Sequence, residues 1–261
     1  MRVITKAELI QSLQDIAAMG WIKNGRPGNH GGIGNTLEDL LGIPENNLPL
    51  PDAADWELKT QSLHTKSLTT LFHCEPSPIT LKFVPAILLP NYGWLHQEAG
   101  QKYPRGEMSF RQTINGLARS DRGFKVVVDR TLQQVLVSFD AASVSSRHAE
   151  WLRNVQKKIG LGELSPQPYW DFTALKRKID AKLNNCFFVQ ASVKRQAGID
   201  YCRFERAMML EELDFVGFLK CLEDGIILVD FDARTGHNHG TKFRIRQNSW
   251  PLLYKQKQII L

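Results

Sequence analysis

The segment Pro51-Asp52-Ala53-Ala54-Asp55-Trp56-Glu57-Leu58-Lys59-Thr60 constrains this chain more than any other stretch. Read as a strand from Trp56 to Thr60, its side chains alternate between two faces, so Glu57 and Lys59 share one face about 6.6 Å apart while Leu58 points to the other. Asp52 precedes Glu57 in a segment opened by Pro51, where a bend can carry its carboxylate back over the strand. Two carboxylates and an ammonium then converge.

Such a cluster suits phosphodiester hydrolysis. Carboxylate oxygens hold a hard divalent cation, which polarises a phosphate and lowers the pKa of a bound water. Lys59 can orient that water and stabilise developing negative charge. The same residues also suit a solvated strand whose outer face carries a Glu and a Lys. Glu57-Leu58-Lys59 is the only Glu-x-Lys in the chain, and it follows the turn-prone run Pro44-Glu45-Asn46-Asn47-Leu48-Pro49-Leu50-Pro51. Upstream, Gly34 to Gly42 reads as a short helix capped near Asn35 or Thr36, with Leu37, Leu40 and Leu41 buried and Gly42 ending it. Glu38 on that helix can face the cluster, or simply favour the first helical turn.

With 261 residues and 43% hydrophobic content, the chain can bury a sizeable core as one domain or as two lobes. A formal charge of +6 and a pI near 9.1 favour a polyanionic partner. Cys74, Cys186, Cys202 and Cys221 are scattered, with no zinc or disulfide spacing, which fits free thiols in a reducing cytoplasm. No apolar stretch is long enough to span a bilayer.

Apolar spacing predicts helices over Thr5 to Met19, His148 to Ile159, Asp171 to Leu183 and Glu211 to Leu222. The basic residues of Asp171 to Leu183, Lys182 among them, read as a solvated helix face. Leu68 to Cys74 reads as a strand pairing with the Glu57 strand through Ser62 to Ser67, and Phe124 to Phe139 as a hairpin. Gly225 to Phe231 is an apolar strand that delivers a second polar block, Asp232-Ala233-Arg234-Thr235-Gly236-His237-Asn238-His239-Gly240-Thr241-Lys242-Phe243-Arg244. Asp232 to His239 is expected to leave the strand as a loop, and an alternating pattern resumes at Thr241. Arg234 and Arg244 can each pair bidentately with guanine, Asp232 can accept from a cytosine amino group, and His237 and His239 can donate to base edges or phosphates. Asp232, His237 and His239 can alternatively ligate a metal, or all can be ordinary polar loop groups.

Taken together, Gly34-Asn35-Thr36-Leu37-Glu38-Asp39-Leu40-Leu41, Pro51-Asp52, Glu57-Leu58-Lys59-Thr60 and the second block resemble the MvaI/BcnI group of type II restriction endonucleases, relatives of the mismatch-repair nickase MutH. The stretch between the blocks does not match residue by residue. The resemblance implies an α/β fold, a mixed sheet flanked by helices with a restriction-endonuclease-like core, in two lobes around a DNA cleft. Residues 1–122 are expected to be mainly catalytic and residues 123–261 mainly for recognition. It further implies a Mg2+-dependent enzyme, acting as a monomer on double-stranded DNA at a CC-x-GG-type site. In it Asp52 and Glu57 bind metal, Lys59 assists the attacking water, Glu38 supports the site and the second block reads bases. A MutH-like nickase and a non-catalytic DNA-binding module are the alternatives.

Overall fold

The computed structural model describes residues 5–26, 32–43 and 55–261. Helix α1 (Lys6–Ala18) forms as its spacing predicts, burying Leu9, Leu13 and Ile16. A capping box fixes its start: the Glu8 amide donates to the Thr5 hydroxyl at 3.2 Å and the Thr5 amide to the Glu8 carboxylate at 2.9 Å. Strand β1 (Ile22–Lys23) and helix α2 (Gly32–Leu40) precede strand β2 (Glu57–Ser62). Then come β3 (Leu68–His73), α3 (Leu89–Tyr92), β4 (Trp94–Leu95), β5 (Met108–Ile114), β6 (Arg122–Asp129) and β7 (Gln134–Val144). Helix α4 (Ala149–Ile159), β8 (Tyr169–Asp171) and α5 (Phe172–Leu183) lead to the long strands β9 (Asn185–Gln196) and β10 (Ile199–Leu213). The remaining elements are α6 (Phe215–Glu223), β11 (Ile227–Arg234), β12 (His237–Asn238), β13 (Lys242–Arg246) and β14 (Tyr254–Ile259).

The chain builds two compact units, each from separate stretches. The first comprises Met1–Ser67, Lys176–Gly217 and Gln247–Leu261; the second comprises Leu68–Leu175 and Phe218–Arg246. Residue 122, the expected boundary between lobes, lies inside the second unit at the start of β6.

The first unit holds a mixed sheet in the order β1-β10-β9-β2, with β14 also on β10. Strands β9 and β10 are antiparallel, whereas β2 runs parallel to β9, Leu58 opposite Phe187 and Thr60 opposite Val189. The expected pairing of β2 with β3 therefore does not form; β3 pairs with β13 instead. Each strand completes its apolar face with a partner far along the chain. Leu58 joins a core with Phe187, Val189, Leu9, Leu13, Ile16 and Leu37, while Phe72 stacks on Phe243 with ring centroids 4.9 Å apart.

Two boundaries also differ from the sequence reading. Helix α2 starts at Gly32, ahead of the expected cap, because Thr36 lies within it. The Thr36 hydroxyl donates to Gly32 O at 2.7 Å, and its oxygen accepts from the Gly25 amide at 3.1 Å, tying the preceding segment to the helix. Leu40, expected to be buried, is exposed. Residues 211–213 belong to β10 rather than to a helix, since β14 extends the sheet there and pairs Leu213 with Tyr254.

The second unit contains a six-stranded sheet, β3-β13-β11-β5-β4 with β12 on β11, and a three-stranded sheet β6-β7-β8. Phe110, Phe231 and Phe243 form the apolar side of the larger sheet, and Phe124 of β6 meets Phe110 edge-on at 5.6 Å. Among the described residues no helix is long and apolar enough to cross a membrane.

Phe187 has no solvent exposure and packs 4.6 Å from the Trp56 ring, so it joins β9 to the segment that carries Glu57. Phe187→Ala is expected to cost about 3–5 kcal/mol, read as a lower urea midpoint at unchanged slope.

Candidate active site

Parallel register decides which side chains meet beside β2. Leu58 and Thr60 lie beside Phe187 and Val189 on the core face, so Glu57, Lys59 and Gln61 share the other face with Cys186, Phe188 and Gln190. On that face Phe188 stacks against Trp250, centroids 5.4 Å apart, and Gln190 Nε2 donates to the side-chain Oε1 of Gln247 at 2.9 Å. Glu57 is completely buried. Its Oε1 is in contact with Lys59 Nζ and lies 3.4 Å from Nζ of Lys182, in the last turn of α5. Tyr254 donates its hydroxyl to Leu183 O at 2.9 Å. Burial pushes its phenol well above the ordinary range, and Cys186 and the Glu57 charge push it the same way.

The adjacent acid and amine expected from the sequence are thus brought together in space. Asp52 lies outside the described residues. Glu38 is half-buried on α2, one turn beyond Gly34; a Cβ on Gly34 would sit 3.9 Å from that of Thr60. This helix covers the core face of β2, the outermost strand in the sheet order.

The second block occupies one side of the six-stranded sheet. Strand β11 continues through Arg234, so Asp232 and Arg234 project from a strand rather than from the expected loop. Alternation in β11 and β13 places Asp230, Asp232, Arg234, Lys242, Arg244 and Arg246 opposite the buried phenylalanines. Asp232 is held by Arg111 Nε at 2.8 Å and Lys242 Nζ at 3.5 Å. Arg234 pairs with Glu107 at 3.1 Å, its guanidinium 4.8 Å from the Tyr103 ring. Arg244 donates to Asp230 at 3.0 Å and to Leu68 O at 2.8 Å. His237 and His239 stand 4.2 Å apart, edge to face.

Between them and Lys242 the chain turns at Gly240, whose φ of +82° favours glycine and whose added Cβ would come 3.1 Å from His73 Nδ1. Among the described residues no three His, Cys, Asp or Glu side chains gather as a metal site. Asp232, His237 and His239 therefore do not form the alternative metal centre, the Asp232 carboxylate being engaged by two cations.

A family model described as the MvaI/BcnI restriction endonuclease family matches residues 10–254. The chain belongs to the MvaI/BcnI restriction endonuclease family. It is accordingly a type II site-specific deoxyribonuclease. The restriction endonuclease MvaI in complex with its cognate DNA substrate has a similar structure, with a TM-score of 0.76 and 27% identity over 97% of each chain. MvaI in the absence of DNA is similar at a TM-score of 0.55, with 26% identity over 100% of each chain. No curated protein sequence matches. The mixed α/β arrangement of this MvaI/BcnI enzyme, sheets flanked by helices, is that of the restriction endonuclease fold.

Lys182, Asp230, Lys242 and Glu107 were not singled out by the sequence reading as site residues. For Asp230 and Lys242 the signal was available in the two-residue period of β11 and β13. For Glu107 and Lys182 no local signal exists, because each meets its partner through long-range pairing or packing. The Asp230 pair bears on the stability of this MvaI/BcnI enzyme: both side chains are largely withdrawn from water, 14% exposed for Asp230 and 27% for Arg244. Asp230→Ala is expected to destabilise the fold by about 1–3 kcal/mol, measured by denaturant unfolding, and Asp230→Asn by less.

Proposed function

We propose that the chain hydrolyses phosphodiester bonds of double-stranded DNA with Mg2+, acting as a monomer at a CC-x-GG-type site. The observation that carries this reading is the buried Glu57 carboxylate with the Lys59 ammonium on the same face of one strand. The donor chemistry suits such an ion: a carboxylate is a hard oxygen ligand, and Asp52 would supply another from the segment just before the strand. The ion would polarise the scissile phosphate and acidify a water.

In this reading the protein supplies orientation. Glu57 is fixed by its place in β2, and Lys59 would donate to the attacking water and to the phosphate oxygens as negative charge develops. Glu38 would support the constellation from α2. Water adds to phosphorus as the 3′ oxygen leaves, so the proton given up by water must pass to solvent or to the departing oxygen.

Recognition would fall to the charged sheet face. Arg234 and Arg244 would read guanines, Asp232 a cytosine amino group, and His237 and His239 base edges or phosphates. The division of labour thus follows the two compact units: β2 with α2 for chemistry, β11 to β13 for reading. The similarity to MvaI in its DNA complex supports DNA as the substrate.

Digestion of a sequenced plasmid tests the whole reading. With Mg2+ the purified protein is expected to give discrete fragments ending at one short sequence, and none in EDTA. Glu57→Ala and Lys59→Ala should each lower cleavage at least about a hundredfold while DNA binding in a gel-shift assay is kept. Cleavage at the parental rate by both variants would refute the assignment, and open circles without linear product would make the enzyme a nickase.

A further inference from the structure

One oxygen of a fully buried carboxylate meets two ammonium groups in this fold. Lys59 reaches Glu57 Oε1 from the same strand, and Lys182 approaches it to 3.4 Å from the end of α5. Ile179, one turn earlier on that helix, is fully buried, so Lys182 sits on its inward side, whereas Lys176 pairs with Asp180 at the surface. The position at the helix C-terminus favours a cation there. Lys182 remains 23% exposed while Glu57 has no exposure.

We propose that Lys182 is a positioning residue for Glu57. It holds Oε1 in the metal-free enzyme and yields that oxygen when a divalent ion binds, so it sets the metal concentration the enzyme needs. The proposal rests on the reading of Glu57 as a metal ligand. An ion approaching Oε1 meets a like charge in Lys182, and removing that charge removes the competitor.

The test is a calorimetric titration of Mn2+ alone into the DNA-free full chain, for wild type, Lys182→Gln, Lys182→Met, Lys182→Arg and Glu57→Gln. Lys182→Gln and Lys182→Met are expected to bind Mn2+ about five- to tenfold more tightly, the worth of a partly exposed ion pair. Lys182→Arg should match wild type. Half-saturating Mg2+ for plasmid cleavage should fall in parallel in the two neutral variants. A merely structural lysine would not tighten metal binding when neutralised. Unchanged or weaker Mn2+ affinity in whichever neutral variant folds overturns the role of Lys182, and if Glu57→Gln meanwhile abolishes Mn2+ binding, the metal reading of Glu57 stands without it. Undiminished Mn2+ binding by Glu57→Gln overturns both.

Discussion

A carboxylate without solvent contact costs several kcal/mol in lost hydration unless cations or hydrogen bonds replace the water. Glu57 is in that position, and the first unit is arranged around satisfying it. Its place on β2 is fixed by parallel pairing with β9, which sets Leu58 against Phe187 and therefore turns Glu57 to the opposite face. There Lys59 follows from strand geometry alone, two residues on. Lys182 follows from packing, because α5 runs directly into β9 and ends beside the same face. The core and the candidate site are thus two sides of one strand. A register slip of a single residue would bury Lys59 among Leu9 and Leu37 and expose Leu58 to the polar side.

The second unit solves a related problem with weaker interactions. Its sheet turns phenylalanines to one side and charges to the other, and neighbouring strands place opposite charges together: Asp232 with Arg111 and Lys242, Arg234 with Glu107, Arg244 with Asp230. Where such pairs reach solvent they contribute about 1 kcal/mol or less. On the proposed reading this is a useful weakness. Arg111 is 57% exposed and Arg234 31%, so each can exchange a carboxylate for a phosphate or a base edge at little cost. Arg244, held by both Asp230 and the Leu68 carbonyl, is tied more firmly and would present its guanidinium in a fixed orientation.

Local signals made part of this legible in the sequence. Helix α1, the hairpin of β6 and β7, and the alternation at Glu57 and Lys59 all depend on residues a few positions apart, and each is found as read. The partner of β2 was hidden because its complement, the Phe187 face, lies beyond the whole stretch from Leu68 to Leu175 that belongs to the other unit. The same cause hid Lys182: on α5 it looks like one more exposed lysine, and only the packing of that helix over the sheet singles it out. The early start of α2 went unread for a different reason. Thr36 resembles a cap by residue type, but its hydroxyl bonds back within the helix and out to the Gly25 amide.

The overall charge of +6 acquires meaning once it is placed. Around Glu57 there are two ammonium groups for one described carboxylate. On the charged side of the second unit's sheet, Arg111, Arg234, Lys242, Arg244 and Arg246 outnumber Glu107, Asp230 and Asp232. That sheet face keeps a positive excess after its internal pairs are formed, which lowers the cost of bringing up a polyanion whose own counterions are released on contact. On the proposed reading, Glu57 and Lys59 stand on a strand rather than a loop, so the geometry they present to that polyanion is held by the sheet itself. An isolated Glu-x-Lys on a flexible segment would have the same charges without that fixed geometry, and electrostatic stabilisation of developing charge depends on groups that need not reorganise as the bond breaks.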